Sequence, residues 1–447
     1  MRPARLSAAC LALSLAACAH YAPAPPHPET FPPALDARRL DEKPAGAVWT
    51  GADLLSAALA HNPQIAEARA KYQTALAAVR TAKAAPGPSL TLTAEYANEV
   101  PHWGYTGAGA IPLDLGARRS TRITTAQLQA LQAFYDYGET VWSVRTSLEK
   151  AQIDLTSATS EIGLAGEALN LRRERAERLA QRVAAGQDAR ALAVTAQGDV
   201  VMAEHRLAAA VGRQQAASLD LAKALGVSAP ALRGLLLASG PAAATPSDFA
   251  DWRRDAALSR RDVLRAIADY DLAENALRLE IANQYPSVSL GPAYNYDHGV
   301  TKLPFGLSLA LPPWDLNRGA IAQAEAARAA AGRSLELAQA NALAEVDSAA
   351  AALSQARKEL SRTRDGDLPV AERAAAAAAR SVDAGQADRV DELAARGAVL
   401  DARLNLLDAQ HTAATAAAGV EDALRRSFDP AETAAIQAAI TQTGGTP

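Results

Sequence analysis

The chain has 447 residues and a formal net charge of −4, and 49% of its residues are hydrophobic although only 4% are aromatic. The slightly acidic balance, with no dominant basic patch, excludes a typical nucleic-acid-binding surface. Small residues are abundant and rings are scarce, so the composition favours closely packed helices over a thick globular core, and the length allows two or three domains.

The first residues predict an export signal. Arg2 and Arg5 precede an apolar stretch, residues 6–17, that is too short to span a bilayer as a stable helix. Residues 15–18 read Leu-Ala-Ala-Cys and are similar to a bacterial lipobox. We therefore predict a signal peptide over residues 1–17, cleavage before Cys18, and acylation of Cys18, for example by palmitate. An ordinary cleavage site with an incidental cysteine is the alternative.

The cysteine count agrees with this interpretation. Cys10 leaves with the signal, so the mature chain keeps only Cys18 and has no internal disulfide to form. By resemblance to bacterial lipoproteins, Ala19 after the cysteine favours the outer membrane over retention in the inner membrane. Residues 18–48 are rich in proline, which predicts an extended, lipid-anchored tether without a core. We expect folded structure to begin near Trp49.

The first structural repeat is predicted over residues 49–248. Asn62 and Pro63 are a helix N-cap followed by proline at the first helical position, and this helix is expected to end near Ala85. Apolar and polar residues then alternate, which predicts strands at about 88–98 and 105–113. From residue 113 to residue 229 the chain lacks proline, and residues 116–186 would be about 100 Å long as one continuous helix.

The same pattern returns about 199 residues later. The second structural repeat is predicted over residues 249–428, with a helix capped by Asp262 and strands at about 286–296 and 303–312. Pro369 is expected to kink or restart its descending helix. Gly186 and Gly385 fall where long helices should turn back, and spacings of three and four after Gly385 indicate a coiled-coil seam. Residues 429–447 are assigned to a C-terminal tail.

The alternating strands favour a membrane sheet over an ordinary soluble one. They approach the 9–11 residues of a membrane-spanning strand, and tyrosines and tryptophans lie near their ends, as in interfacial girdles. A sheet in lipid must have no free edge, and four strands cannot close a barrel whose known minimum is about eight. An oligomer must therefore supply the rest, and a trimer would give twelve strands.

With this arrangement of helices and strands in two repeats, the sequence resembles the TolC-like outer-membrane efflux family, specifically its lipoprotein branch. The residues that carry the resemblance are Ala58-Leu59-x-x-Asn62-Pro63, Leu311-Pro312-x-x-Asp315-x-Asn317-Arg318-Gly319 and the Ala-Gly-Gln turns at 185–187 and 384–386. The resemblance implies a mainly α-helical homotrimer with a long periplasmic α-helical barrel and a twelve-stranded membrane β-barrel. It also implies a periplasmic adaptor and an inner-membrane pump, expected to be proton-driven, as partners.

The resemblance also implies roles for individual residues. The turns would be adaptor-docking tips, formed by Arg182, Val183, Gly186, Val382 and Gly385; simple helix capping is the structural alternative. Asp391 matches an acidic position that lines the periplasmic gate in this family, and a ring of three such carboxylates would attract cations. The family's second acid is Ala394 here, so Asp388 or Glu392 would have to replace it. A solvated charge on a helix face is the alternative for Asp391.

No sequence motif for catalysis, a cofactor or a metal site is present. The resemblance implies a passive outer-membrane channel of a tripartite efflux system, lipid-anchored and extending into the periplasm. The alternative is a structural or adaptor lipoprotein that bridges periplasmic partners through coiled coils without a pore. Metal ions, drugs and solvents are all compatible substrates.

Overall fold

The computed structural model is mainly helical and describes residues 21–40, 43–44, 46–113, 117–238 and 249–441. The predicted signal peptide and Cys18 lie outside the described residues. Within these ranges, no helix combines the length and hydrophobicity that crossing a membrane requires.

The first repeat follows a short helix, α1 (Phe31–Ala37), and a two-residue strand, β1 (Val48–Trp49). It comprises α2 (Gly51–His61), α3 (Pro63–Lys83), β2 (Ser89–Tyr96), β3 (Trp103–Leu113), α4 (Ala117–Ala184), α5 (Arg190–Leu225) and β4 (Leu236–Leu237). The predicted cap at Asn62 is confirmed, because its Oδ1 accepts hydrogen bonds from the backbone of Gln64 and Ile65 at 2.8 and 3.3 Å. Helix α4 is unbroken over 68 residues, about 100 Å, as predicted.

The second repeat follows a similar order of elements, but its second strand and its first long helix are each divided in two. It comprises α6 (Phe249–Ser259), α7 (Arg261–Ala282), β5 (Ser287–Asp297), β6 (Val300–Lys302), β7 (Phe305–Ala310), α8 (Arg318–Arg362), α9 (Leu368–Asp383) and α10 (Arg389–Leu424), and a last helix, α11 (Pro430–Thr441), follows. A π-helical turn, Thr363–Asp367, separates α8 from α9. The predicted interruption at Pro369 is therefore present, and α4 has no counterpart to it.

The strands and helices form one continuous wall. Strand β3 pairs antiparallel with β2 and with β5, and both β6 and β7 pair with β5 at different heights. The five segments therefore occupy four strand positions. The helices attached to their ends pack in the matching order, α3 on α4, α4 on α7, and α7 on α8. Farther from the sheet the neighbours are α5, α4, α10 and then α8 with α9.

Midway along the wall the helices of each repeat meet end to end. The C-terminus of α5 meets the N-terminus of α3, where Asn62 Nδ2 donates to Ala224 O at 2.7 Å. In the second repeat α10 meets α7 in the same way, and Arg260 Nη1 donates to Ala423 O at 2.9 Å. Both C-caps, Gly226 and Arg425, adopt the left-handed conformation, with φ of 75° and 51°.

The main hydrophobic core surrounds these junctions. Its largest side chains include Trp49, Leu54, Tyr137, Trp142 and Leu221, contributed by β1, α2, α4 and α5. The short strands β1 and β4 pair in parallel beside this core. The thickest packing therefore lies at the middle of the molecule, which we call the equator, while the long helices beyond it bury mainly alanine.

Three assignments from the sequence need correction. The segment predicted to be a tail contains α11, because Ile436 and Ala439 bury their side chains. The segment predicted to be an extended tether contains α1, and Arg38 after it donates to His61 O and Gly226 O at 2.9 and 2.6 Å. The strand predicted at 303–312 is β7, which starts only at Phe305, after Pro304, and a separate short strand, β6, precedes it at residues 300–302. Pro304 has no N–H group to donate to the sheet.

The cap of α7 also differs from the prediction. Arg260 occupies the N-cap position, and Asp262 lies inside the first turn. Asp262 accepts a hydrogen bond from Arg260 Nη2 at 2.7 Å and another from the backbone N–H of Val263 at 3.0 Å. Asp262 is therefore an ion-pair partner of Arg260, two residues after the N-cap position, and not the cap itself.

Candidate channel surfaces and tip site

The four-position sheet has one apolar face. Residues paired across strands share a face, so the register joins Leu92 to Gly107, Gly107 to Tyr294, and Leu290 to Leu307. The face consists of Leu90, Leu92, Ala94, Tyr96, Trp103, Tyr105, Gly107, Gly109, Ile111, Leu113, Val288, Leu290, Pro292, Tyr294, Tyr296, Phe305, Leu307 and Leu309. Leu92 is 76% exposed and Phe305 is 71% exposed. A continuous apolar surface of this kind marks contact with lipid or with another protein.

The opposite face is polar or small. Successive residues of a strand point to opposite sides, so this face consists of Ser89, Thr91, Thr93, Glu95, Gly104, Thr106, Ala108, Ala110, Pro112, Ser287, Ser289, Gly291, Ala293, Asn295, Asp297, Gly306, Ser308 and Ala310. Serine, threonine and alanine dominate it. The sheet therefore separates an apolar environment from an aqueous one.

Aromatic rings gather at the end of the apolar face that is farthest from the helices. The rings of Tyr96 and Trp103 lie 5.2 Å apart, and Tyr105 lies 6.4 Å from Trp103 and 6.4 Å from Tyr296. At the other end of the sheet Trp314 is fully exposed. Aromatic side chains at both ends of an apolar band are typical of membrane β-sheets, whose two interfaces favour rings with a polar edge.

The sheet has two unpaired edges within the described part of the chain. Strand β2 pairs with β3 alone, and β7 pairs with β5 alone. Unpaired backbone groups cannot be satisfied in lipid. The apolar face and the free edges together mean that this sheet is complete only when other strands close it.

The two tips lie at the far ends of the long helices. Gly186 and Gly385 adopt the left-handed conformation, with φ of 72° and 70°. In both turns the glycine N–H donates to the carbonyl three residues earlier, that of Val183 or Val382. The predicted glycine turns are therefore present in both repeats, with the same hydrogen bonds that end a helix before a left-handed residue.

Arg182 joins the two tips. Its Nη2 donates to Asp188 Oδ1 at 3.0 Å within the first hairpin, and its Nη1 forms an ion pair with Asp388 of the second. The sequence assigned Arg182 and Asp388 to different roles, docking and gating, but the structure brings them into contact. The carboxylate of Asp388 also caps α10, accepting from Val390 N at 2.6 Å and Asp391 N at 3.1 Å.

The three acids proposed for the gate have different surroundings. Asp391 is exposed, and its carboxylate accepts a hydrogen bond from the backbone N–H of Asp388 at 3.5 Å. Glu392 is buried and paired with Arg389 Nη1 at 2.7 Å. Asp388 and Asp391 are thus accessible to an aqueous path at the tip, whereas the described contacts occupy Glu392.

Further ion pairs connect α10 to the helices of the first repeat. Arg172 of α4 lies 2.6 Å from Asp401, and Arg206 of α5 lies 3.0 Å from Asp408. His411 Nε2 lies 2.7 Å from Asp154 Oδ1. Sequence reasoning missed this ladder, because a charge on an exposed helix face carries no signal of its partner on another repeat.

The comparisons with known proteins agree with this geometry. The family model described as outer membrane efflux protein matches residues 54–227 and 252–424. The match therefore covers most of the chain and falls on both repeats. No curated protein sequence matches the chain.

Several solved structures have a similar fold. A membrane protein from Pseudomonas aeruginosa is 19% identical, with a TM-score of 0.72 over 91% of this chain and 96% of that one. The outer membrane protein VceC from Vibrio cholerae is 19% identical, with a TM-score of 0.69 over 84% of this chain and 96% of that one. The open state of the MtrE outer membrane channel of Neisseria gonorrhoeae is 19% identical, with a TM-score of 0.68 over 84% and 89%.

Proposed function

We propose that three copies of this chain, which belongs to the outer membrane efflux protein family, assemble into one trimeric channel. The chain is an outer-membrane efflux channel of the kind used by tripartite pumps, and it is not an enzyme. The alternative of a bridging lipoprotein without a pore is not supported, because the family model matches both repeats.

The main support for a trimer comes from the sheet. Its apolar face requires lipid on one side, its polar face requires water on the other, and its two edges require partners. Three copies of the four strand positions would give the twelve strands of a closed barrel. The helical wall has matching free edges: α5 exposes Met202 and Leu219 by 68% and 58%, and α9 buries none of its residues. We expect α5 of one copy to contact α9 of the next.

The proposal is tested on the purified protein in detergent and in a planar bilayer. Native mass spectrometry should give three chains per particle, and the same sample should produce discrete conductance steps. A trimer that stays silent, including after Asp391→Asn, would count against the channel, and a monomer that conducts would count against the assembly.

We propose further that the tips dock a periplasmic adaptor, through which an inner-membrane pump, expected to be proton-driven, reaches the channel. Support comes from Val183 and Val382, which are half-buried beside the glycine turns at the end of the molecule farthest from the sheet. A photo-crosslinker at residue 382 should capture an adaptor-class protein in cells, whereas one at the exposed equatorial residue Val48 should not. Equal capture at both positions would contradict docking at the tips.

Within the same proposal, Asp391 and Asp388 line a periplasmic gate that Arg182 helps to hold closed. The ion pair from Arg182 to Asp388 joins the hairpins of the two repeats, so the tips cannot separate while it persists. Carboxylates repeated by threefold symmetry would favour cations at this aperture.

Replacing Arg182 with alanine should increase the conductance or the open time of single channels, because the link between the tips is lost. Arg173→Ala is the matched control: Arg173 lies on the same helix and pairs with Glu204 of its own hairpin at 2.7 Å, with both side chains exposed. Single-channel recording distinguishes the two. Similar conductance in both variants would show that Arg182 does not hold the gate.

We propose further that Cys18 is acylated, on the ground of the lipobox at residues 15–18. Mass spectrometry of the mature N-terminus should find an acylated Cys18 as the first residue. An unmodified N-terminus at another position would refute it.

A further inference from the structure

The equator contains a buried cluster of one arginine and three glutamates. The Arg145 side chain on α4 is 3% exposed and contacts Glu149 of α4, Glu421 of α10 and Glu432 of α11. Arg145 Nη1 lies 2.6 Å from Glu149, and its Nε lies 2.8 Å from Glu432. The three carboxylates are at most 11% exposed.

The charges in this cluster do not balance. If all three carboxylates were ionised, one guanidinium would face three negative charges in a place where water cannot screen them. A further carboxylate, Asp422, lies on the same side of α10, where it accepts hydrogen bonds from Trp142 Nε1 at 2.8 Å and from Arg425 Nη1 at 2.7 Å. Neutralising one glutamate by a proton relieves the imbalance.

The hydrogen bonds indicate which glutamate takes the proton. Glu432 accepts from Ser427 Oγ at 2.8 Å as well as from Arg145, and it lies against Gly51 at the N-terminus of α2. Glu421 is held by Arg145 and by the backbone N–H of Phe428. For Glu149, the described part of the chain shows one hydrogen-bond donor, Arg145 Nη1 at 2.6 Å.

Burial of Glu149 also favours its protonated form. It raises the pKa of Glu149 to about 7, against the opposing effect of Arg145 and with further repulsion from Glu421, Glu432 and Asp422. Burial also raises the pKa of Glu421, with Arg145 again opposing it.

We propose that Arg145, Glu149, Glu421 and Glu432 form a pH-dependent latch that fastens α11 and the end of α10 to α4. The latch holds while Glu149 carries a proton, and it weakens as that proton leaves. Its position gives it consequences for the channel, because α10 begins at the tip with Asp388 and Asp391 and ends in the latch. The inference depends on contacts within one chain, so it does not depend on the trimer or on conduction.

The sign of the effect follows from the pKa of Glu149 in the two states. The pKa of Glu149 is about 7 in the folded chain and 4.5 for an unperturbed glutamate, the value taken for the unfolded chain. Between pH 4.5 and about pH 7, the folded state therefore binds more protons than the unfolded state. The stabilising contribution is complete below about pH 4.5 and is lost as the pH rises through about 7. Between pH 5 and pH 8 this one group should change the equilibrium constant for opening by roughly 70-fold.

The test is hydrogen exchange of the full-length protein in detergent, read at the backbone amides of α11 and corrected for the pH dependence of chemical exchange. In the wild type the protection of α11 should fall steeply from pH 5 to pH 8, whereas protection of α3 should change little. In Glu149→Gln the protection of α11 should change much less between pH 5 and pH 8 than it does in the wild type. Glu177→Gln is the matched control, because Glu177 is an exposed glutamate on the same helix.

Two results would overturn the latch. One is a wild type in which α11 and α3 respond equally to pH, which needs no variant and therefore holds even if Glu149→Gln does not fold. The other is a folded Glu149→Gln protein that keeps the pH dependence of the wild type.

Discussion

Gly226→Ala is expected to lower the free energy of unfolding by about 2–4 kcal/mol. The residue is the C-cap of α5 with φ of +75°, and an added Cβ would lie 2.5 Å from His61 O and 2.7 Å from Asn62 Cα. Those atoms belong to the chain between α2 and α3, whose backbone cannot retreat without losing the hydrogen bond from Asn62 to Ala224. The substitution therefore adds steric overlap to backbone strain at the junction of two helices.

A second glycine separates these two contributions. Gly234 has φ of +78°, but an added Cβ would meet nothing within 4 Å. Gly234→Ala should therefore cost only the strain of the left-handed conformation, about 1–2 kcal/mol. Both variants can be compared by urea unfolding in detergent, or by thermal midpoint where unfolding is irreversible. Equal losses in the two proteins would show that the junction is not tightly packed.

The second large effect is expected for Arg145→Met, which should destabilise the protein by about 3–5 kcal/mol at pH 8, since removing one partner leaves buried charges without compensation. Three carboxylates, those of Glu149, Glu421 and Glu432, would face each other without a cation. Methionine keeps much of the volume and so isolates the charge.

The loss should shrink as the pH falls. Burial already raises the pKa of both Glu149 and Glu421, so protonation at pH 5 would remove much of the repulsion in Arg145→Met. Arg253→Met is the control, because the side chains of Arg253 and its ion-pair partner Asp347 are 41% and 51% exposed, and a solvent-exposed ion pair contributes little to stability. An Arg145→Met protein that unfolds alike at pH 5 and pH 8 would contradict this account of the cluster.

The wall of this channel could be predicted from local sequence signals. The Asn62-Pro63 cap, the alternating residues of β2 and the glycines at 186 and 385 each specify a conformation through their own backbone and nearest neighbours. The duplication then extends each prediction to a second place in the chain. Such features can be predicted from the sequence because they depend on residues only a few positions apart.

Two of the errors have identifiable physical causes. The residues of α11 were assigned to a tail because their only strong signal is alanine, and the helix is fixed by contacts with α2 and α4 far away in sequence. The alternation predicts a strand from residue 303, but Pro304 has no N–H group to donate to the sheet and β7 starts at Phe305. Long-range packing thus decided the place of α11, whereas a missing backbone donor decided the start of β7.

The sequence by itself determined the long helices of this protein, most of its strands, their duplication and the apolar and polar faces of the sheet, because periodicity and turn residues act over a few neighbouring positions. Only the tertiary structure decided which charges meet. Arg182 forms an ion pair with Asp388, and Arg145 forms ion pairs with Glu421 and Glu432, across sequence separations of 200 to 300 residues. A charged residue on a helix has many possible partners, and the packing of the helices selects one of them.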